Sequence, residues 1–203
     1  MFETLSASKS DILDAAALCF MELGTDTASI DDIAHSLGST KGRIYHHFPS
    51  KGALLAAVKL RAAYFTHQSV ASVIDTDLSP SACLHRMARA HVLEVLHSLP
   101  YHKVILQTST RLRTRTPTTH ETELQAQVQE GQRHYTDLFR IQIQRGMDAG
   151  EFAPRAMPVV LSGVLLQLNS PVFWYQSNRT PSRSFDERVA NDLADMALAS
   201  LRP

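Results

Sequence analysis

Acidic residues are missing from one long stretch of this chain. Between Asp32 and Asp75 there is no aspartate or glutamate, although 20 acidic and 20 basic residues cancel over the whole sequence. Lys41, Arg43, Lys51, Lys59 and Arg61 all fall inside that gap. A chain of zero formal net charge thus concentrates positive charge where a polyanion can dock. Cysteine is scarce too. Cys19 and Cys83 have no CxxC or metal-ligand spacing, which excludes a disulfide scaffold and leaves two reduced core thiols as the expectation. The 10 histidines show no zinc spacing with cysteine, so no metal site is expected. No apolar run reaches about 18 residues, so no transmembrane helix is expected. The opening MFETLSASKSD has no basic segment followed by an apolar core, so a secretory signal is not expected and a cytoplasmic location is. No Ser/His/Asp or Cys/His grouping stands out, and no glycine-rich loop follows a strand. Neither an enzyme nor a cofactor is expected.

Alternating strand patterns and internal repeats are also lacking, and what remains is helical. At 203 residues the chain can bury a sizeable core in one or two units. The most informative stretch is SIDDIAHSLGSTKGRIYHHFPSK, residues 29–51. Ser29 is suited to cap a helix, and Asp31 and Asp32 put negative charge at its positive end. Ile30, Ile33, Ala34 and Leu37 recur at helical spacing. Gly38 ends that helix by tolerating a left-handed backbone, Thr40 caps a second short helix, Pro49 ends it, and Ser50 caps the next. Helix, glycine turn, helix is the helix-turn-helix pattern, whose second helix enters the DNA major groove. Ile44 and Phe48 pack inward, leaving Lys41, Arg43, Tyr45 and His46 facing out. Gly42 costs roughly 1 kcal/mol in a helix interior, a cost that makes sense if the backbone must approach something closely.

Further helices are predicted over residues 9–23, 50–74, 81–97, 101–113, 118–149, 159–176 and 185–201. The all-α prediction is therefore nine helices: a three-helix head, residues 1–49, and a six-helix body, residues 50–203. Pro171 predicts a kink near residues 167–170, because its ring lacks an N–H and crowds the carbonyl four back.

TKGRIYHHFPSKGALL resembles the recognition-helix signature of the tetracycline-repressor (TetR) family of bacterial transcription regulators. ILDAAALCFMELGTDTASIDDIAHSLG resembles that family's first two helices. The likeness covers residues 8–58. Ser39 departs from it where an apolar residue is usual, and Gly52 where an acidic one is common. The resemblance, with the local chemistry, implies that Thr40, Lys41, Tyr45 and Lys51 contact phosphates of an operator duplex. Ser29 caps a helix whose N-terminus abuts a phosphate. Arg43 reads a base, because a guanidinium pairs with guanine O6 and N7. Gly42 lets the backbone approach, and His46 serves backbone or base. The resemblance also implies a homodimer through the last two helices, residues 159–168 and 189–201, which would set two recognition helices about 34–36 Å apart.

A second likeness concerns residues 135–176. HYTDLFRIQIQRGMDAGEF and LSGVLLQLNSPVFWYQ are similar to C-terminal regions of TetR-type regulators of fatty-acid, branched-chain or sterol degradation, which respond to acyl-CoA thioesters. In the body, Phe65, Gln107, Arg111, Tyr135, Phe139, Asn169, Phe173 and Trp174 are the residue types of a ligand pocket: apolar walls with a few polar anchors. Arg86, Arg89, Arg111, Arg113 and Arg115 offer charge for CoA phosphates, against the plainer reading of a solvated basic surface. Two rival readings stand beside this one. A drug-sensing repressor of an efflux pump would use one of the body acids Glu94, Glu121, Glu123 or Glu130 against a cation. An all-helical enzyme or interaction protein would carry the basic head incidentally.

Overall fold

The computed structural model describes residues 7–109, 118–176 and 183–203. Among them every regular element is a helix: α1 Ala7–Leu23, α2 Ile30–Ser36, α3 Lys41–His47, α4 Lys51–Ala71, α5 Pro80–His97, α6 Leu99–Ser109, α7 Thr119–Asp148, α8 Met157–Leu168, α9 Pro171–Trp174 and α10 Arg183–Ala199. The four-residue α9 continues the broken α8, and counted with it the total is the predicted nine. The break falls where Pro171 placed it. Asn169 ends α8, its Nδ2 donating to the Leu165 carbonyl at 2.7 Å. Pro171 then occupies the first turn of α9, where no N–H is needed. The same chemistry moves one boundary. Pro80, expected in a connecting segment, is the first residue of α5, with Ser79 accepting from the Ala82 N–H at 3.3 Å.

The helices fall into two compact units, residues 1–64 with 100–131, and residues 65–99 with 132–203. In the first, Ile12, Leu13, Ala16 and Phe20 of α1, Ile33 of α2, Ile44 of α3 and Leu54 of α4 are all essentially fully buried. These are the apolar positions of the helical spacing. Cys19 is buried among them as a free thiol. On α6 the Tyr101 hydroxyl donates to Asp14 Oδ1 at 2.6 Å, and the Arg61 guanidinium lies over the Tyr101 ring and 3.7 Å from Asp14. Burial, then the bond to Asp14, holds this phenol far above its ordinary range. The next residue, His102, is buried, its Nε2 has no hydrogen-bond partner among the described residues, and burial pushes its pKa down to about 4. The imidazole is neutral at pH 7, which is how a buried, unpaired histidine avoids the cost of a desolvated charge.

The second unit is built on α5 and α10. Ala190, Ala194 and Ala197 of α10 are fully buried, at spacings of four and three, and their small side chains admit close helix approach. Leu84, Met87, Ala88 and Val92 of α5, Phe139 and Ile143 of α7, and Val164 and Leu168 of α8 complete the core. Arg89 pairs with Glu187 and donates to Asn191 Oδ1 at 3.0 Å, and His85 meets Asp195 at 3.1 Å, along the edge of the α5–α10 contact.

Candidate functional site

The head is assembled from local signals. Ser29 and Asp32 form a reciprocal capping box: the Ser29 hydroxyl accepts from the Asp32 N–H at 3.1 Å, while the Asp32 carboxylate accepts from the Ser29 N–H at 2.8 Å. The Ser29 hydroxyl also donates to Asp32 Oδ2 at 2.7 Å, and that bond, then the one from the Ser29 N–H, holds the Asp32 carboxyl below its usual range. Gly38 takes φ +60°, and the Ser39 N–H bonds back to the Ala34 carbonyl at 2.9 Å, which turns the chain from α2 into α3. Thr40 caps α3, its hydroxyl accepting from the Arg43 N–H at 3.4 Å. The Phe48 N–H closes α3 on the Ile44 carbonyl at 2.9 Å. Ser50 caps α4 through the Ala53 N–H at 3.0 Å and donates to the buried Glu121 at 2.9 Å. Glu121 is also the acidic half of a second capping box, with Thr118 at the start of α7.

On this frame Ile44 is fully buried, and Thr40, Lys41, Gly42, Arg43, Tyr45 and His46 are exposed. Five of the predicted DNA-facing residues thus share one helix, with Thr40 as its cap. The present partner of Lys41 is weak. Lys41 Nζ lies 3.4 Å from Asp31, with both side chains more than 60% exposed. Such a pair contributes about 0–1 kcal/mol and exchanges readily for a phosphate. Lys51 Nζ donates to the Asp26 carbonyl at 2.8 Å. Arg43 Nε and Nη2 both donate to Ser8 Oγ at 3.3 Å, with the Asp11 carboxylate 3.9 Å from Nη2.

The predicted ligand residues are dispersed. Tyr135 and Phe139 meet, ring centroids 5.5 Å apart, and the Tyr135 hydroxyl hydrogen-bonds His91 Nδ1. Burial keeps the Tyr135 phenol well above its ordinary value, so it serves as the donor. Phe139 is fully buried, and Phe65 is half-buried on α4. Gln107 belongs to the other unit: its Nε2 donates to the Met21 carbonyl at 3.2 Å, and its buried Oε1 has no partner among the described residues. Asn169 is the cap of α8. Phe173 and Trp174 stand 64% and 50% exposed, so they face outward from their own unit. Arg111, Arg113 and Arg115 lie outside the described residues. Of the other arginines considered for phosphate, Arg86 is paired with Asp75 at 3.2 Å, and Arg89 with Glu187. A cleft of about 450 Å³ in the second unit is lined by Ser69, Leu93, Glu94, His97, Arg183, Asp186 and Glu187. Glu94 is one of the body acids named above, and desolvation raises its pKa.

Two family models match the chain: "Bacterial regulatory proteins, tetR family" over residues 12–58, and "Tetracyclin repressor-like, C-terminal domain" over residues 77–201. The chain belongs to the TetR family. Over 54 residues, 27% of its length, it is 41% identical to the HTH-type transcriptional repressor Rv1474c of Mycobacterium tuberculosis, of which 29% is covered. The leading curated relatives are each matched over less than half of their own length. Among solved structures, the TetR family regulator PfmR from Thermus thermophilus superposes with a TM-score of 0.77 at 25% identity, covering 93% of this chain and 97% of that one. AibR, solved in complex with isovaleryl coenzyme A and operator DNA, shares the fold with a TM-score of 0.73 at 20% identity over 93% and 97% of the two chains.

For a TetR-family head, sequence reasoning missed Ser8, Asp11 and His47, which surround Arg43 and lie far from it or beside it without a motif. Glu121, a body acid above, lies three residues after Thr118, the capping-box spacing. Gly42 yields a direct test. A Cβ built there meets nothing nearer than Thr40 Oγ1 at 3.7 Å, an ordinary contact. Among the described residues nothing therefore requires glycine. Gly42→Ala is expected to stabilise the head by about 0.5–1 kcal/mol, since alanine is the better helix former. It is expected to weaken duplex binding about tenfold, or roughly 1.4 kcal/mol, because the added methyl would sit between backbone and phosphate. Thermal melting and fluorescence anisotropy read the two effects separately. Undiminished DNA affinity in Gly42→Ala would remove the close-approach reading of this residue.

Proposed function

We propose that this TetR-family chain is a homodimeric, ligand-responsive repressor that binds a palindromic operator and leaves it when a small molecule occupies the body. The carrying observation is the exposed face of α3, where Lys41, Arg43, Tyr45 and His46 stand on a capped helix-turn-helix within an acid-free stretch. Residues 1–49 act as the DNA-binding part and residues 50–203 as the ligand-binding and dimerising part, in the cytoplasm. Thr40, Lys41, Tyr45 and Lys51 hold phosphates, Ser29 presents the N-terminus of α2, and Arg43 reads a base. Dimerisation uses α8 and α10. Val159, Ser162, Gly163 and Leu166 recur at spacings of three and four along α8, with Val159 71% and Leu166 66% exposed, and Met196 of α10 is 59% exposed. Ligand in the body favours a state with mis-spaced heads, through its differential affinity for the two states. The long α4 is the lever.

An acyl-CoA thioester is the proposed effector class, supported by the fold shared with AibR and by the loose likeness of residues 135–176. The efflux-pump reading draws on Glu94, a partly desolvated carboxyl in the 450 Å³ cleft, which suits a cationic ligand. Arg43→Ala and Lys51→Ala test the DNA function on duplexes selected from a random pool. Arg43→Ala is expected to lose about 1–3 kcal/mol at one base position and to relax preference there. Lys51→Ala is expected to weaken all sequences alike and to reduce the salt slope by about 1. Intact selectivity in Arg43→Ala would overturn the base-reading role.

A further inference from the structure

The base-reading arginine is not left to find its own conformation. Ser8 lies in the first turn of α1, 35 residues from Arg43 in sequence, yet its Oγ accepts from both Nε and Nη2 at 3.3 Å. The same Oγ is 3.1 Å from His47 Nε2. A serine hydroxyl has two acceptor lone pairs and one proton. With both lone pairs on the guanidinium, the proton is left for His47 Nε2, which must then be the acceptor. Desolvation, then repulsion from His46, Lys9 and Arg43, lowers the His47 pKa, which favours that neutral, accepting form. Asp11 is one turn along α1 from Ser8, on the same helix face. Its carboxylate stands 3.9 Å from Nη2, near enough to bias the guanidinium and too far to hydrogen-bond it.

A guanidinium presents two forked edges. Ser8 occupies the side edge, made by Nε and Nη2. The end edge, made by Nη1 and the outer N–H of Nη2, makes no hydrogen bond among the described residues, and the Arg43 side chain is 41% exposed. That end edge is the fork that matches guanine O6 and N7.

We infer that Ser8 is a positioning residue for Arg43, a hydroxyl on α1 that clamps the side edge of the guanidinium so that its end edge is presented to a guanine in the major groove, with Asp11 and His47 holding the clamp. This rests on the base-reading role proposed above. The physical gain is preorganisation. A free arginine loses most of its rotamer freedom on pairing with a base, and a clamped one has lost it already. The gain is realised only where the base accepts two hydrogen bonds, so the clamp sharpens specificity and leaves phosphate-driven binding alone.

The test uses the full chain. Wild type is first used to select duplexes from a randomised pool. Ser8→Ala, Ser8→Thr and Arg43→Ala are then titrated by anisotropy against the selected duplex, the same duplex with the Arg43-dependent guanine replaced, and a scrambled duplex. Ser8→Ala is expected to bind the selected duplex about tenfold more weakly, to lose most of the preference for that guanine, and to match wild type on scrambled DNA and in salt slope. Ser8→Thr keeps the hydroxyl and is expected to restore the preference. Alanine favours the helix at this position, so folding is not at risk, and melting curves verify it. Unchanged guanine preference in Ser8→Ala overturns the clamp, while Arg43→Ala independently reports whether Arg43 reads the base. An equal loss on selected and scrambled duplexes also overturns it, since that marks a phosphate contact or a general support of the head. A wild type that enriches no sequence overturns both the clamp and the base-reading role beneath it.

Discussion

Leu166→Glu is expected to convert the dimer to a monomer and to abolish operator binding at concentrations where the parent binds. Leu166 is 66% exposed on α8, one heptad from Val159 at 71%, and Ser162 and Gly163 lie between them. Among the described residues a Cβ at Gly163 would meet nothing within 4 Å, so this stripe has open space there. Small residues between two aliphatic ones let a second helix approach closely. In a two-fold interface the same patch serves both subunits, so each substitution acts twice. Burying one leucine contributes about 1.5–3 kcal/mol. Losing two contributes about 3–6 kcal/mol, which is two to four decades in dimer dissociation constant. Two facing glutamates add repulsion and desolvation to that loss. A monomer holds one half-site at a time and forfeits the effective concentration that links the two heads. Native mass spectrometry and operator titration measure both consequences. A Leu166→Glu protein that remains dimeric at low micromolar concentration would place the dimer interface elsewhere.

The same segment shows why composition alone misreads α8. The window Met157–Trp174 has a mean hydropathy of 1.3 over 18 residues, enough by length and composition for a membrane span. The backbone does not run through it as one helix. α8 has 12 residues, about 18 Å at 1.5 Å per residue, well short of a hydrocarbon core of about 30 Å. Val160, Val164 and Leu168 are buried in the protein core while Val159 and Leu166 face out. Its apolar residues thus divide into an inward side and an exposed one.

What could be read in the sequence was mostly local. The Ser29 cap, the left-handed Gly38, the Thr40 and Ser50 caps and the break at Pro171 each depend on residues within about four positions of one another. Their chemistry is written in the residue types. The split of α3 into a buried Ile44 and an exposed basic face followed from helical spacing. What escaped depends on distance or direction. Ser8 meets Arg43 across 35 positions, and no periodicity encodes that contact. Phe173 and Trp174 carry the composition of pocket walls, yet a hydropathy pattern cannot say whether an aromatic ring faces its own core or stands on the surface. Gln107 illustrates the same limit: its buried amide does have a partner need, and the need is half met by the Met21 carbonyl of α1. Glu121, one of four body acids in the sequence reading, is buried between two helix caps, where its charge is satisfied by Ser50 and the Thr118 N–H.

Gly146→Ala is expected to destabilise the protein by about 2–4 kcal/mol, although the same substitution at Gly42 should stabilise it. Both glycines sit inside helices, and on propensity alone both should gain up to about 1 kcal/mol from alanine. The difference lies in what a methyl would touch. At Gly146 a Cβ would stand 2.1 Å from Phe152 Cδ2 and 2.2 Å from Cε2, against ordinary carbon contacts of about 3.5–4.0 Å. The ring cannot easily yield. Phe152 is 3% exposed and belongs to the core of its unit. Its backbone is fixed as well: Gly150 takes φ +73°, and the Glu151 and Phe152 N–H groups both bond the Gly146 carbonyl, at 2.9 and 3.1 Å. α7 therefore ends by folding the chain back so that the ring packs against the glycine. A methyl there must push the ring into neighbours packed at crystal-like density or unwind the last turn of the helix. For a chain of this size, the expected drop in melting temperature is roughly 5–15 °C. A double-mutant cycle with Phe152→Ala isolates the cause. Phe152→Ala alone is expected to cost about 3–5 kcal/mol through its cavity, and adding Gly146→Ala to it should then cost nothing or recover part of the loss, because the methyl enters vacated space. If Gly146→Ala costs as much without the ring as with it, the destabilisation arises in the helix itself and the close contact with Phe152 is not its source.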